Sequence, residues 1–179
     1  TAPVQVRNAL RVVASVATLA AAIPGALLLA SMGGAANTAN NIASLGGQAV
    51  LIGVVGADDG AQQLAREAGQ SQIVFRPITD LRPTVRKVRV VGQQQQLWLD
   101  YETSGAVSAD AEAGLLTAAA DEIARVSVVV ISDYAKGVVT ASVAQAIIAM
   151  ARQHGKPVIV DPRPQHSAFY TGCDFLTPN

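Results

Sequence analysis

One cysteine, 4% aromatic residues and no surplus of charge of either sign are the scarcities of this 179-residue chain. A lone Cys173 excludes an internal disulfide and a cysteine-based zinc site, and it fits a reducing compartment, so the cytoplasm is the expected location. The residue itself reads as a small buried hydrophobe. Thirteen Lys and Arg balance thirteen Asp and Glu, so no overall field gathers a polyanion. Charge therefore lends no support to nucleic-acid or membrane-surface binding, and any anionic ligand must be held locally. With half of its residues hydrophobic and 15% charged, the chain is too apolar for disorder and long enough for one domain with a buried core. No GxGxxG joins a strand to a helix with an acidic residue about 20 positions later, which disfavours a Rossmann-type dehydrogenase. Internal repeats and linkers are lacking as well.

Val12 to Met32 is an apolar stretch of 21 residues without a charge, preceded by Arg7 and Arg11. About 20 apolar residues suffice to span a bilayer, so a membrane anchor has to be weighed, and basic residues before an apolar run also suit a signal peptide. Against both, alanine dominates, Ser15, Thr18 and Ser31 dilute the run, and Pro24-Gly25 breaks a helix in its middle. Residues 1–32 are thus expected to be an atypical apolar segment, helical in a soluble protein rather than associated with a membrane, with no chemistry of its own.

From there the pattern alternates. Ala49 to Val55 (AVLIGVV) is a continuous apolar run that leads through Gly56 and Asp58-Asp59 into a helix over Asp59 to Ala68. Thr84 to Val91 and Gln95 to Glu102 are strand-like in composition and form a hairpin with one wet face, a unit covering about 84–102. Ser108 caps an alanine-rich helix to about Arg125, and Val126 to Ile131 is a second buried strand. Thr140 to His154 has apolar residues at helical spacing, Gly155 supplies a left-handed C-cap, and Pro157 to Val160 is a strand ending at Asp161. One more strand would begin at Phe175-Leu176. Strand and helix in alternation predict an α/β fold with a parallel sheet.

Ligands of open parallel sheets sit beyond the carboxyl ends of the strands, so the polar residues there are the candidates. Four places qualify. Gly33 to Asn41 (GGAANTANN) puts two glycines, which let a backbone come close to a ligand, before Asn37 and Asn41 on one face of a helix. Those amides suit sugar hydroxyls, although a glycine-rich helix start is as readily structural, and the glycines do not match a Walker A loop. Ser132 to Gly137 (SDYAKG) sets Asp133 and Lys136 at a strand end, either for a hydroxyl and a phosphate or as a solvated loop. Asp161-Pro162-Arg163 offers a carboxylate and a guanidinium that could fork onto phosphate or form a surface ion pair. Lys87 and Arg89 share one face of a strand with Arg86 on the other, where charges are usually solubility devices.

Together and in this order, the segments resemble a known family. GGAANTANNIASLGG followed by VLIGVVGADD is similar to the N-terminal signature of the PfkB, or ribokinase-type, carbohydrate kinases. RPTVRKVRVVGQQQQLWLDYE, SDYAKG and VDPRPQHSAFYTGCDFLTPN resemble more narrowly the heptose 7-phosphate kinases of ADP-heptose synthesis, including the kinase domain of bifunctional ADP-heptose synthases. The likeness covers about residues 33–179. It implies a ribokinase-like three-layer αβα sandwich with a parallel central sheet and a small β lid, here partial.

The resemblance further implies that Gly33, Gly34, Asn37 and Asn41 line a sugar pocket, that Lys87, Arg89, Gln94 and Gln95 lie on the lid above it, and that Asp133 and Lys136 face the phosphate end of the sugar. Asp161 and Asn179 would lie near ATP and magnesium. The implied reaction carries the γ-phosphoryl group of ATP to the anomeric hydroxyl of D-glycero-β-D-manno-heptose 7-phosphate, in the route to ADP-heptose and the lipopolysaccharide core. A homodimer through the lid is implied too. The family's catalytic Asp lies in a GAGD motif that the 179 residues do not contain, and the first strand with its sugar-contacting Asp is replaced by the apolar segment. The chain on its own is therefore expected not to catalyse the transfer. A non-catalytic sugar-phosphate-binding module and a degenerate structural fragment are the alternatives.

Overall fold

The computed structural model describes residues 17–18, 33–71, 73–91, 96–103 and 105–178, the hairpin strands 86–91 and 96–101 by their backbone. The elements, in chain order, begin with β1 (Ala17–Thr18), β2 (Gly33–Gly34), α1 (Ala35–Ser44), β3 (Val50–Val55), α2 (Asp59–Gln70), β4 (Val74–Thr79), β5 (Arg86–Val91) and β6 (Gln96–Tyr101). They continue with α3 (Ala109–Ile123), β7 (Val129–Ser132), α4 (Ala141–Gln153), β8 (Val158–Asp161), a 3₁₀ helix (Pro164–Tyr170) and β9 (Phe175–Leu176). β3 pairs in parallel with β4, and β7, β8 and β9 form a second parallel sheet in that order. Every residue of β3 and β7 is buried, as continuous apolar runs in a parallel sheet require.

Alternation along these strands sorts the core into two faces. Val50, Ile52, Val54, Val129 and Ile131 pack with α3 and α4 through Leu115, Ile123, Val143 and Ile147. Leu51, Val55, Val128 and Val130 pack on the other side with α1 and α2 through Ala36, Ala39, Ile42 and Leu64. Helices thus cover both sides of the strands, the expected three-layer αβα arrangement. Side-chain caps start the helices where the sequence places them: Asp58 accepts from the Ala61 N–H, Ser108 from Ala111 and Thr140 from Val143. Gly155, at φ 63°, ends α4 in the left-handed conformation expected of it.

Four details differ from the sequence reading. β4 has no apolar run to announce it, since Arg76 and Pro77 are exposed and only Phe75 and Ile78 are half-buried. It forms because β3 supplies a partner along its whole length, and Pro77 is tolerated on a strand at the edge of its sheet. The strand expected from Val126 begins at Val129, because the Arg125 and Val126 N–H groups still bond back to the carbonyls of Glu122 and Ile123. The hairpin strand begins at Arg86 rather than Thr84, whose N–H and hydroxyl are taken by Asp58. Ala17–Thr18 is extended, not helical, and pairs antiparallel with Gly33–Gly34. The rest of the 12–32 segment lies outside the described residues, among which no helix is long and apolar enough to cross a membrane.

The hairpin itself is as expected, with β5 and β6 antiparallel from Arg86 opposite Tyr101 to Val91 opposite Gln96. Cys173 is half-buried against the α3 and α4 face, and its thiol is pushed above the usual range by burial and then by the neighbouring Asp174.

Candidate functional site at the strand ends

The short connection from α1 into β3 reverses the chain, so the start of α1 lies toward the carboxyl end of β3, the same end at which β7 and β8 deliver Asp133 and Asp161. Gly34, at φ 58° and ψ −136°, occupies a conformation that favours glycine and lets the chain turn from β2 into α1. Asn37 and Asn41 follow on α1, both exposed, one helical turn apart. Their amides are thus presented to solvent rather than spent on the helix cap, which has no side-chain hydrogen bond.

The loop after β7 is built around a filled carboxylate. Asp133 is 2% exposed and accepts from the Tyr170 hydroxyl at 2.5 Å, from the Ala135 N–H at 2.7 Å, and shares a 2.6 Å hydrogen bond with His166 Nδ1. Its own N–H bonds to the Asp161 carbonyl, which welds the loop to β8. Burial, and next the hydrogen bond to Asp133, push the Tyr170 phenol well above its usual range, so it stays a donor. Asp133 is thus an internal acceptor in this structure.

Lys136 points elsewhere. Its ammonium lies 2.7 Å from Glu102 Oε1, just past β6, with both side chains about a quarter exposed. The Lys136 carbonyl is held by Arg82, whose Nη1 donates to it at 2.9 Å, whose Nη2 donates to the Gly105 carbonyl at 3.0 Å, and whose Nε donates to Asp80 at 3.0 Å. The segment after β4, the segment leaving the hairpin and the loop after β7 therefore meet at one guanidinium. Gly137, at φ 79°, lies so close to the Gly105 carbonyl that a Cβ would overlap it, and the Val107 N–H bonds to the Gly137 carbonyl. Asp80 is 5% exposed; burial raises its pKa, but hydrogen bonds led by the Ser108 hydroxyl, with the Leu81 and Ser108 N–H groups and Arg82, outweigh that and hold it below the usual carboxylate range.

Beside this junction a cleft of about 620 Å³ opens at the ends of β3 and β4, lined among others by Asp58, Asp80, Arg82, Ser108 and Asp110. Its floor is a second filled carboxylate: Asp58 accepts the Thr84 hydroxyl at 2.6 Å, the Thr84 N–H at 2.8 Å and the Ala61 N–H at 3.0 Å. A wall rich in carboxylates does not suit an anion. On the other side, Asp161 accepts from Ser132 Oγ at 3.4 Å, and the Arg163 guanidinium lies 5.3 Å from the centre of the Tyr134 ring.

Of the residues singled out by sequence, Asp133, Lys136 and Asp161 come together at one end of the β7–β8 pair, and Gly33, Gly34, Asn37 and Asn41 stand at the start of α1. Lys87 and Arg89 fall on β5 opposite Asp100 and Trp98. Gln94, Gln95 and Asn179 lie outside the described residues. Sequence reasoning passed over Arg82, Glu102, His166 and Tyr170. Among the described residues, no group of three or more His, Cys, Asp or Glu side chains could hold a metal ion.

Comparison with known proteins gives this geometry a context. The profile of the pfkB family carbohydrate kinases matches residues 28–179. A bifunctional protein HldE of Bradyrhizobium diazoefficiens is 45% identical over 153 residues, which cover 83% of this chain and 31% of that protein. A D-beta-D-heptose 7-phosphate kinase of Bordetella bronchiseptica is 43% identical over 150 residues, covering 83% and 47%. The chain thus spans about a third to a half of the length of these relatives. Among solved structures, a possible 1-phosphofructokinase of Thermotoga maritima superposes with a TM-score of 0.75 at 16% identity, covering 94% of this chain and 60% of that one. The tetrameric inhibited form of phosphofructokinase-2 from Escherichia coli gives 0.65 at 19%, covering 95% and 61%. These two likenesses fix the fold as that of the ribokinase-like kinases.

Proposed function

Because the chain belongs to the pfkB family of carbohydrate kinases, we propose that it forms the sugar-binding part of a kinase acting on D-glycero-β-D-manno-heptose 7-phosphate in ADP-heptose synthesis. What supports the choice of sugar is the 43% identity, over 83% of this chain, to a relative named D-beta-D-heptose 7-phosphate kinase. Asn37 and Asn41 offer exposed amides to the sugar hydroxyls, each able to donate and accept. Lys136 is the cation for the sugar's phosphate; it exchanges Glu102 for a dianion, which attracts it more strongly. The β5–β6 hairpin closes over the sugar, with Lys87, Arg89, Gln94 and Gln95 as its contacts, and is the surface for pairing with a second copy. The single cysteine favours a cytoplasmic home.

ATP supplies the phosphoryl group when bound. Of the residues the family sets beside ATP and magnesium, Asp161 is the one described, a partly exposed carboxylate at the end of β8. One carboxylate suits a magnesium that keeps water and phosphate oxygens as its other ligands. Asp133 is engaged by the Tyr170 hydroxyl, the Ala135 N–H and His166 Nδ1, and does not act as the base that takes the hydroxyl proton. The 179 residues are accordingly proposed to bind the sugar phosphate and not to turn it over.

Thermal unfolding with heptose 7-phosphate, and separately with Mg-ATP, tests this. A ligand at 100 times its Kd stabilises the native state by about 2.7 kcal/mol, roughly 5–10 °C for a chain of this size. That shift with heptose 7-phosphate and none with fructose 6-phosphate is the expected result. Equal shifts with both, or none with either, refute the choice of sugar.

A further inference from the structure

Lys136 sits between two left-handed residues. Gly137, at φ 79°, adopts that conformation freely, but Ala135, at φ 54°, is the one non-glycine residue with positive φ among those described. Something must hold Ala135 there, and its N–H donates to Asp133 Oδ1 at 2.7 Å. Asp133 is in turn fixed from outside the loop by two side chains of the 3₁₀ helix after β8. The Tyr170 hydroxyl donates to Oδ2 at 2.5 Å and His166 Nδ1 meets the same oxygen at 2.6 Å. Both partners are themselves braced. Tyr170 is 2% exposed and its hydroxyl accepts from the Arg163 N–H, while the His166 ring stacks on Phe169 with centroids 4.4 Å apart. Beyond Ala135, the chain direction decides where the Lys136 carbonyl meets Arg82 and where its ammonium emerges toward Glu102.

We infer that Tyr170 and His166 are positioning residues for this loop: by clamping Asp133 they keep Ala135 left-handed and so aim the Lys136 ammonium. The part of this that concerns ligand rests on the reading that Lys136 meets the sugar's phosphate; the clamp itself does not. Neither side chain touches the sugar in this scheme. Their effect on binding passes through two backbone residues, and it is separable from packing because the strain it opposes is confined to one Cβ. Glycine at 135 removes that Cβ and with it the need for the clamp.

The test uses the whole 179-residue chain. Hydrogen exchange at the amides of residues 133–137 and the Kd for heptose 7-phosphate are measured for the parent, for Tyr170→Phe, and for Tyr170→Phe combined with Ala135→Gly. Tyr170→Phe keeps the buried ring and removes one hydroxyl. Losing the hold on an alanine in the left-handed region should speed exchange by roughly 5- to 30-fold and weaken the sugar phosphate by a similar factor. Adding Ala135→Gly should bring both back to within about threefold of the parent. If the second substitution rescues neither, Tyr170 acts through packing alone and the inference is wrong; unchanged exchange in Tyr170→Phe overturns it equally. Rescue of exchange in a chain that binds no sugar phosphate in any form would uphold the clamp and sink the substrate assignment. Should Tyr170→Phe fail to fold, the more exposed His166→Ala is carried through the same comparison, with the same outcomes deciding.

Discussion

Replacing Thr84 by valine keeps the shape of the side chain and removes one oxygen. That oxygen is the hub of a buried knot: Thr84 is 1% exposed, its hydroxyl donates to Asp58 at 2.6 Å and accepts from the Gly56 N–H at 2.9 Å. Valine leaves a carboxylate short of one donor and a buried N–H short of its acceptor. A hydrogen bond to a charged group contributes about 1.5–3 kcal/mol, and stranding a buried N–H costs about 1–3 kcal/mol. Because Asp58 keeps the Thr84 and Ala61 N–H groups, the lower half of the combined range applies, about 2.5–4 kcal/mol. Thr84→Ser is the control. It keeps both hydrogen bonds and loses one methyl, about 1 kcal/mol. In urea, where a small protein loses about 1–3 kcal/mol of stability per molar, the valine variant should unfold about 1–2 M earlier than the parent and the serine variant about 0.5 M earlier. A valine variant within 0.5 kcal/mol of the parent, or a serine variant as unstable as the valine one, would refute the reasoning.

Two more perturbations address the three-way junction. Gly137→Ala forces a Cβ into the Gly105 carbonyl at a φ of 79° and should cost about 2–4 kcal/mol, read by the same urea titration, whereas Gly155→Ala, with open space around it, should cost no more than the left-handed penalty of about 1–2 kcal/mol. Asp80, held below the usual carboxylate pKa, contributes stability that is fully present above the unfolded value near pH 4 and is lost as pH falls through the lower folded value. Asp80→Asn should therefore be less stable than the parent at pH 7, with the gap closing below about pH 4; a gap that does not narrow on acidification contradicts the assignment.

How much of this was legible in the sequence depends on the range of each interaction. Ala49–Val55 and Pro157–Asp161 announce themselves because burial on both faces of a parallel sheet demands consecutive apolar residues. The Ser108 cap is visible because a cap acts within three residues of itself. β4 is silent, since its exposed face and Pro77 write no pattern and only its register with β3 makes it a strand. The SDYAKG loop is conspicuous as a motif, but what Asp133 does there is set by His166 and Tyr170, 33 and 37 residues further on, in a stretch that looks like an ordinary loop. Lys136 and Glu102 likewise give no local sign of their ion pair. The apolar run 12–32 misleads in the opposite sense: its composition suggests a helix, and at Ala17–Thr18 the glycines at 33–34 offer it a strand partner instead.

The separate ladders of the two parallel sheets have a consequence for how the molecule assembles. Among the described residues no ladder joins β3 to β7, although their side chains interleave in both core clusters. Each half can thus complete its backbone pairing from nearby sequence, β3 with β4 and β7 with β8 and β9, before the other exists. Cooperativity between the halves rests on side-chain burial and on the grip of Arg82, contacts that span long stretches of chain and so close late. Folding should accordingly proceed as two locally closed nuclei followed by their docking, and core substitutions in the shared faces should speed unfolding more than they slow folding.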